Sequence, residues 1–103
     1  MKTENIVETV RFRLKSEVTP EAQIALSEGI ASFLKGRAGF ISRSLSLSAD
    51  GTFLDHVVWE DMDAALAAQT ALGAHRDAAA ILPLIDEASV DITHAPFVTR
   101  QVA

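Results

Sequence analysis

The chain contains no cysteine, which excludes disulfides, thiolate metal sites and cysteine nucleophiles. Basic residues are also scarce: nine Lys and Arg stand against fourteen Asp and Glu, a net charge of −5. That balance argues against non-specific nucleic-acid binding and against an anionic membrane, since both need a basic face. The five glycines are scattered and form neither GxGxxG nor a P-loop, so neither phosphate cradle is present. No apolar run approaches the roughly 18 residues of a membrane span. The opening stretch MKTENIVETV lacks the apolar core of a signal peptide. These absences predict a cytoplasmic protein with neither nucleic acid nor membrane as partner.

What is present is 103 residues, 49% of them hydrophobic. A chain of this length buries roughly 65% of its unfolded surface, enough for one core. Residues 1–103 read as a single domain, with no linker, repeat or low-complexity tract.

The first element is Ile6 to Lys15, where Ile6, Val10, Phe12 and Leu14 alternate with Thr9, Arg11, Arg13 and Lys15. This period of two marks a strand with one buried face. Glu8 is the exception on the apolar side. Thr19 then offers an N-cap, Pro20 suits the first helical position, and Glu21 complements the helix dipole. Ala22, Leu26, Gly29, Ile30, Phe33 and Leu34 recur at helical spacing until Gly36 stops the run. Two strands follow, Phe40 to Ser48 and Phe53 to Glu60, joined by an Asp50-Gly51 turn that signals a hairpin. The first sets Ile41, Arg43, Leu45 and Leu47 against Phe40, Ser42, Ser44 and Ser46. The second is apolar on both sides, as an inner strand would be. Asp61 or Asp63 caps a second helix whose inner stripe is Met62, Ala65, Leu66, Gln69 and Leu72. Gly73 breaks it, a short helical stretch through Ala78, Ile81 and Leu82 ends at Pro83, and a last strand runs from Ser89 to Val98.

The order β-α-β-β-α-β predicts an α+β, ferredoxin-like split βαβ fold: a four-stranded antiparallel sheet, order 4-1-3-2, with both helices on one face. Two helices cover only one side of such a sheet. A homodimer packed sheet on sheet is the simplest cover for the other. The alternative is a monomer whose outer face, rich in Thr9, Arg11, Arg13, Ser42, Ser44 and Ser46, is solvated.

Three stretches carry a family resemblance. They are Val10-Arg11-Phe12-Arg13-Leu14-Lys15, Gly39-Phe40, and His56-Val57-Val58-Trp59-Glu60-Asp61-Met62-Asp63-Ala64-Ala65. Together they resemble the dimeric α/β-barrel superfamily and its antibiotic-biosynthesis-monooxygenase-like (ABM) domains, over about residues 5 to 98. The resemblance implies a homodimeric barrel with a small cavity between sheet and helices. Some members are cofactor-free oxygenases of aromatic polyketides or quinols, and others degrade haem. The haem degraders carry an Asn on the first strand and a Trp in the second helix. Val10 and Ala68 stand there instead, and the chain has no Tyr, so no haem or other cofactor is expected.

The candidate chemistry centres on Glu8 and His94, which the 4-1-3-2 order makes cross-strand neighbours. A carboxylate beside a histidine in an apolar cavity fixes the histidine tautomer and forms a usable general acid/base pair. The bland reading is a carboxylate that closes the cavity end, satisfied by His94 or water. Phe12, His56, Trp59, Met62, Leu66 and Gln69 are expected to shape the ligand pocket. If His56 also faces the helices, it would join Glu8 and His94 in a facial metal triad. The register places it nearer Phe12 than Glu8, however, and no metal is expected. His75 and Arg76 line either the cavity mouth or a solvated loop. Asp55 and His56 are adjacent on a strand and so point to opposite faces. The serines lack an elbow motif. Two functions remain: a cofactor-independent monooxygenase or acid/base catalyst acting on a small aromatic or polyketide-like molecule, and a non-catalytic homodimer, structural or binding a small apolar ligand.

Overall fold

The computed structural model describes residues 5–103, except for the side chains of Leu26, Asp77 and Ala78. The stripe positions Leu26 and Ala78, and Met1 to Glu4 of the opening stretch, therefore lie outside the described residues. The elements are β1 (Ile6–Leu14), α1 (Pro20–Lys35), β2 (Phe40–Leu47), β3 (Thr52–Trp59), α2 (Met62–Gly73), α3 (Arg76–Ile81), a 3-10 turn (Leu82–Leu84) and β4 (Ile85–Pro96). All sheet pairs are antiparallel, in the order β2-β3-β1-β4. The helices lie on one side, as the β-α-β-β-α-β pattern predicts. Among the described residues no helix is long and apolar enough to cross a membrane.

Local chemistry sets the ends of these elements. Thr19 caps α1, its hydroxyl accepting from the Ala22 N–H, and Pro20 occupies the first turn. Asp61 caps α2 by accepting from the Ala64 N–H at 2.8 Å. Gly51 turns the hairpin at φ +90°, a left-handed conformation that favours glycine. Asp50 holds the same turn through the Ser48 hydroxyl and, at 3.0 Å, the Thr52 N–H.

Those contacts lower the Asp50 pKa from 3.8 to about 2, with the Ser48 hydroxyl the largest cause and the Thr52 backbone and hydroxyl next. The folded value lies below the unfolded one. Its contribution to the hairpin is therefore present above pH 3.8 and lost as pH falls through about 2. An NMR titration should find the Asp50 midpoint near 2, moving toward 3.8 in Ser48→Ala. An unmoved midpoint in that variant would show the hydroxyl to be irrelevant.

The core lies between the sheet and α1 and α2. Leu34, Val57, Trp59, Ala65 and Ala68 form its buried centre, with Ile30, Phe33, Phe40 and Ala64 packed around them. Phe12 and Phe53 stack at 5.2 Å between β1 and β3.

Three expectations need correction. The buried stripe of α2 runs through Ala65 and Ala68, while Leu66 is 48% exposed. Small residues let α2 lie close to the chain entering β2: a Cβ on Gly39 would come within 2.5 Å of Ala64 Cβ. On β2, a register shift between Phe40 and Ser42 breaks the alternation. Phe40 therefore joins the core edge-on to Trp59, and Ile41 is exposed. Finally, β4 begins at Ile85 rather than Ser89. Arg11 pairs with Asp91 but Arg13 with Asp86, so β4 bulges opposite Phe12. Ser89 bridges the irregularity, accepting from the Arg13 N–H at 2.8 Å and donating to the Asp86 carbonyl. The extra residues destroy the period of two over this stretch.

Candidate functional site

A cavity of about 380 Å³ lies between the sheet and the helices, within the roughly 300–1,000 Å³ range of small-molecule sites. Its lining is mainly apolar, including Val10, Phe12, Ile30, Phe33, Trp59 and Ile92. The exposed lining residues Gln69, Leu82, Val90 and Ile92 mark the side that meets solvent.

Glu8 enters this cavity because it holds an inward position of β1 between Ile6 and Val10. It is 9% exposed. Its carboxylate is held from two sides: Trp59 Nε1 donates to Oε1 at 3.0 Å, and His94 Nε2 lies 3.3 Å from Oε2. The backbone positions of Glu8 and His94 pair directly, as the strand order implies. Because an ionised carboxylate only accepts, the Nε2 of His94 is the donor to it. Two accepted bonds leave the carboxylate with lone pairs free for a ligand hydroxyl. Glu8 lines the cavity and His94 does not, so a bound molecule meets Glu8, with His94 behind it.

Of the expected pocket residues, Phe12, Trp59 and Gln69 line the cavity. Met62 and Leu66 do not, because α2 turns its alanines inward. His56 is also excluded. It pairs with Thr9 and Ser44, on the face away from the helices, whereas Asp55 on the same strand lines the cavity. The register also sets His56 beside Thr9 rather than near Phe12. Glu8, His56 and His94 therefore do not converge. Among the described residues no group of three or more His, Asp and Glu side chains is placed to hold a metal ion. His75 packs edge-on against Phe33 at 5.0 Å instead of lining the cavity.

A second polar group was missed. Arg43 and Asp55 both line the cavity and form a bidentate pair: Nε to Oδ1 at 3.0 Å and Nη2 to Oδ2 at 2.8 Å. Their side chains are 12% and 15% exposed. Arg43 Nη1 also donates to the Ser27 carbonyl of α1 at 3.4 Å, tying β2 to the helix above. One turn earlier on α1, Gln23 is 3% exposed and lines the same cavity. The available signal was spacing. Gln23 and Ser27 continue the Ile30 and Leu34 stripe at steps of four, three and four, but polar side chains do not register in an apolar periodicity.

No protein-family profile and no curated protein sequence matches the chain. Solved structures do. SnoaB, a cofactor-independent oxygenase from Streptomyces nogalater, shares 22% identity over 97% of each chain, with a TM-score of 0.71. The ActVA-Orf6 monooxygenase of Streptomyces coelicolor, solved with nanaomycin D, shares 20% identity over 97% of this chain and 93% of its own, with a TM-score of 0.69. Rv0793 from Mycobacterium tuberculosis shares 17% identity over 95% and 99%, with a TM-score of 0.77. The chain thus shares the fold of these three structures.

Proposed function

We propose that this protein is a cytoplasmic, homodimeric, cofactor-independent monooxygenase acting on a small hydroxylated aromatic molecule. The observation that carries this reading is Glu8: a buried carboxylate, held by Trp59 and His94, on the wall of an otherwise mainly apolar cavity of about 380 Å³. The likeness to SnoaB and ActVA-Orf6 supports the reaction class.

Glu8 is the base that meets the substrate, and His94 is a positioning residue that fixes the carboxylate. The substrate hydroxyl loses its proton to Glu8, leaving an electron-rich aromatic anion. This anion passes one electron to O2, and the radical pair collapses to a C–O bond at the ring carbon para to the hydroxyl. Glu8 returns its proton to the peroxide, and the resulting hydroperoxide eliminates water and leaves a carbonyl. One oxygen atom ends in the quinone and the other in water, so the substrate supplies all the electrons. The apolar wall excludes bulk water from the anion.

Anthrone, whose enol tautomer carries the hydroxyl, provides the test. The protein is expected to speed its conversion to anthraquinone at least 100-fold over buffer, with one O2 consumed per quinone. Glu8→Gln should lower kcat by about 100-fold while the far-UV circular dichroism is unchanged. Binding of anthrone without O2 uptake would sink the catalytic reading and leave a ligand-binding protein.

The homodimer is supported by the uncovered sheet face, which presents Val7 and Leu54 beside Thr9 and His56. Light scattering is expected to give twice the chain mass of 11.0 kDa. A mass of one chain would return the solvated monomer.

A further inference from the structure

Gln23 Oε1 is buried in this structure and accepts no hydrogen bond. A buried amide oxygen left without a donor costs stability, so an unpaired one in the wall of a cavity points to an occupant. The guanidinium of Arg43 is directed elsewhere, forked onto Asp55 and reaching the Ser27 carbonyl.

The sheet register sets the distance from Glu8. His94, Glu8, Val57 and Arg43 lie in one row across β4, β1, β3 and β2. Adjacent strands are about 4.8 Å apart, so the Glu8 and Arg43 backbones are separated by roughly 10 Å. Val57 of the buried core lies between them in that row, and Val10, the next inward residue of β1, lines the cavity. The two polar stations are thus separated by an apolar stretch of the sheet. The charge balance of the wall is also defined. Its charged residues are Glu8, Asp55 and Glu87 against Arg43 alone. Even with His94 protonated beside Glu8, the balance stays negative.

We propose that Gln23, beside the Arg43–Asp55 pair, is a second recognition point that selects an uncharged aromatic carrying a hydroxyl at each end. One hydroxyl meets Glu8 and the other meets the Gln23 amide. A hydroxyl can donate to the amide oxygen or accept from its nitrogen, so the ligand class does not depend on how the amide is turned. The negative wall disfavours a carboxylate in the second position. This inference rests on the cavity being the ligand site, as proposed above.

The test is binding, measured by titration calorimetry at pH 7 with 2-naphthol, 2,6-dihydroxynaphthalene and 6-hydroxy-2-naphthoate. The diol is expected to bind about tenfold tighter than 2-naphthol, and the carboxylate at least about tenfold weaker than the diol. Gln23→Leu and Gln23→Met should both bring the diol to the 2-naphthol level and leave 2-naphthol within about twofold. Two variants guard against one that fails to fold, and the comparison of ligands on the unaltered protein needs neither. Equal binding of 2-naphthol and the diol, or a diol preference that survives in a folded Gln23 variant, overturns the second recognition point alone. If no naphthol binds, the cavity reading falls with it.

Discussion

Trp59→Ala is expected to cost about 4 kcal/mol of stability, the largest effect of any single substitution considered. Trp59 is 1% exposed and sits in the core cluster with Leu34, Val57, Ala65 and Ala68. Truncation removes the whole indole from between β3 and α2. The alanines of α2 already lie close to the sheet, so little side chain is available to refill the space. A domain of this size has about 5–15 kcal/mol in total, so the variant would keep a modest margin. The indole also has a polar role, because its N–H donates to Glu8 Oε1. Trp59→Phe separates the two contributions. It retains most of the packing and loses the donor, for an expected cost of about 1–2 kcal/mol. Urea unfolding measures both variants. A loss below about 1 kcal/mol for Trp59→Ala would show that the core closes without the indole.

Patterns longer than one turn were legible in the sequence. The alternation in β1 placed Glu8 on the inner face, and the strand order then put His94 opposite it. The Asp50-Gly51 pair gave the hairpin, and Thr19-Pro20 gave the start of α1. What escaped were departures from strict period. A shift near Ile41 and a bulge in β4 each move side chains to the other face, and no single residue type announces either. His56 was misplaced for a related reason: β3 is apolar on both sides, so its sequence does not say which side faces the helices. The Arg43–Asp55 pair was hidden because a charged residue reads as solvent-facing until a partner on another strand is known. Gln23 escaped in the same way. The missed residues are thus polar groups on buried faces, where local pattern and tertiary environment disagree.

Asp55→Ala is expected to cost about 3 kcal/mol, because it leaves the Arg43 guanidinium in a largely buried position without its carboxylate. Much of that loss is not the worth of the pair itself. Replacing both residues, as in Arg43→Met with Asp55→Leu, removes the stranded charge along with its partner. The double variant should therefore lie within about 1.5 kcal/mol of the parent, well short of the sum of the two single changes. A double-mutant cycle in urea measures the coupling, and additive losses would show that the two side chains act independently. An apolar pair could thus hold β2, β3 and α1 together nearly as well. What it could not do is keep a polar station in the cavity wall beside Gln23, 10 Å or so across the sheet from Glu8. Under the function proposed above, the ion pair is better explained by what the cavity admits than by what it adds to stability. The folded double variant should show it directly, as a weakened preference for a ligand with two hydroxyls.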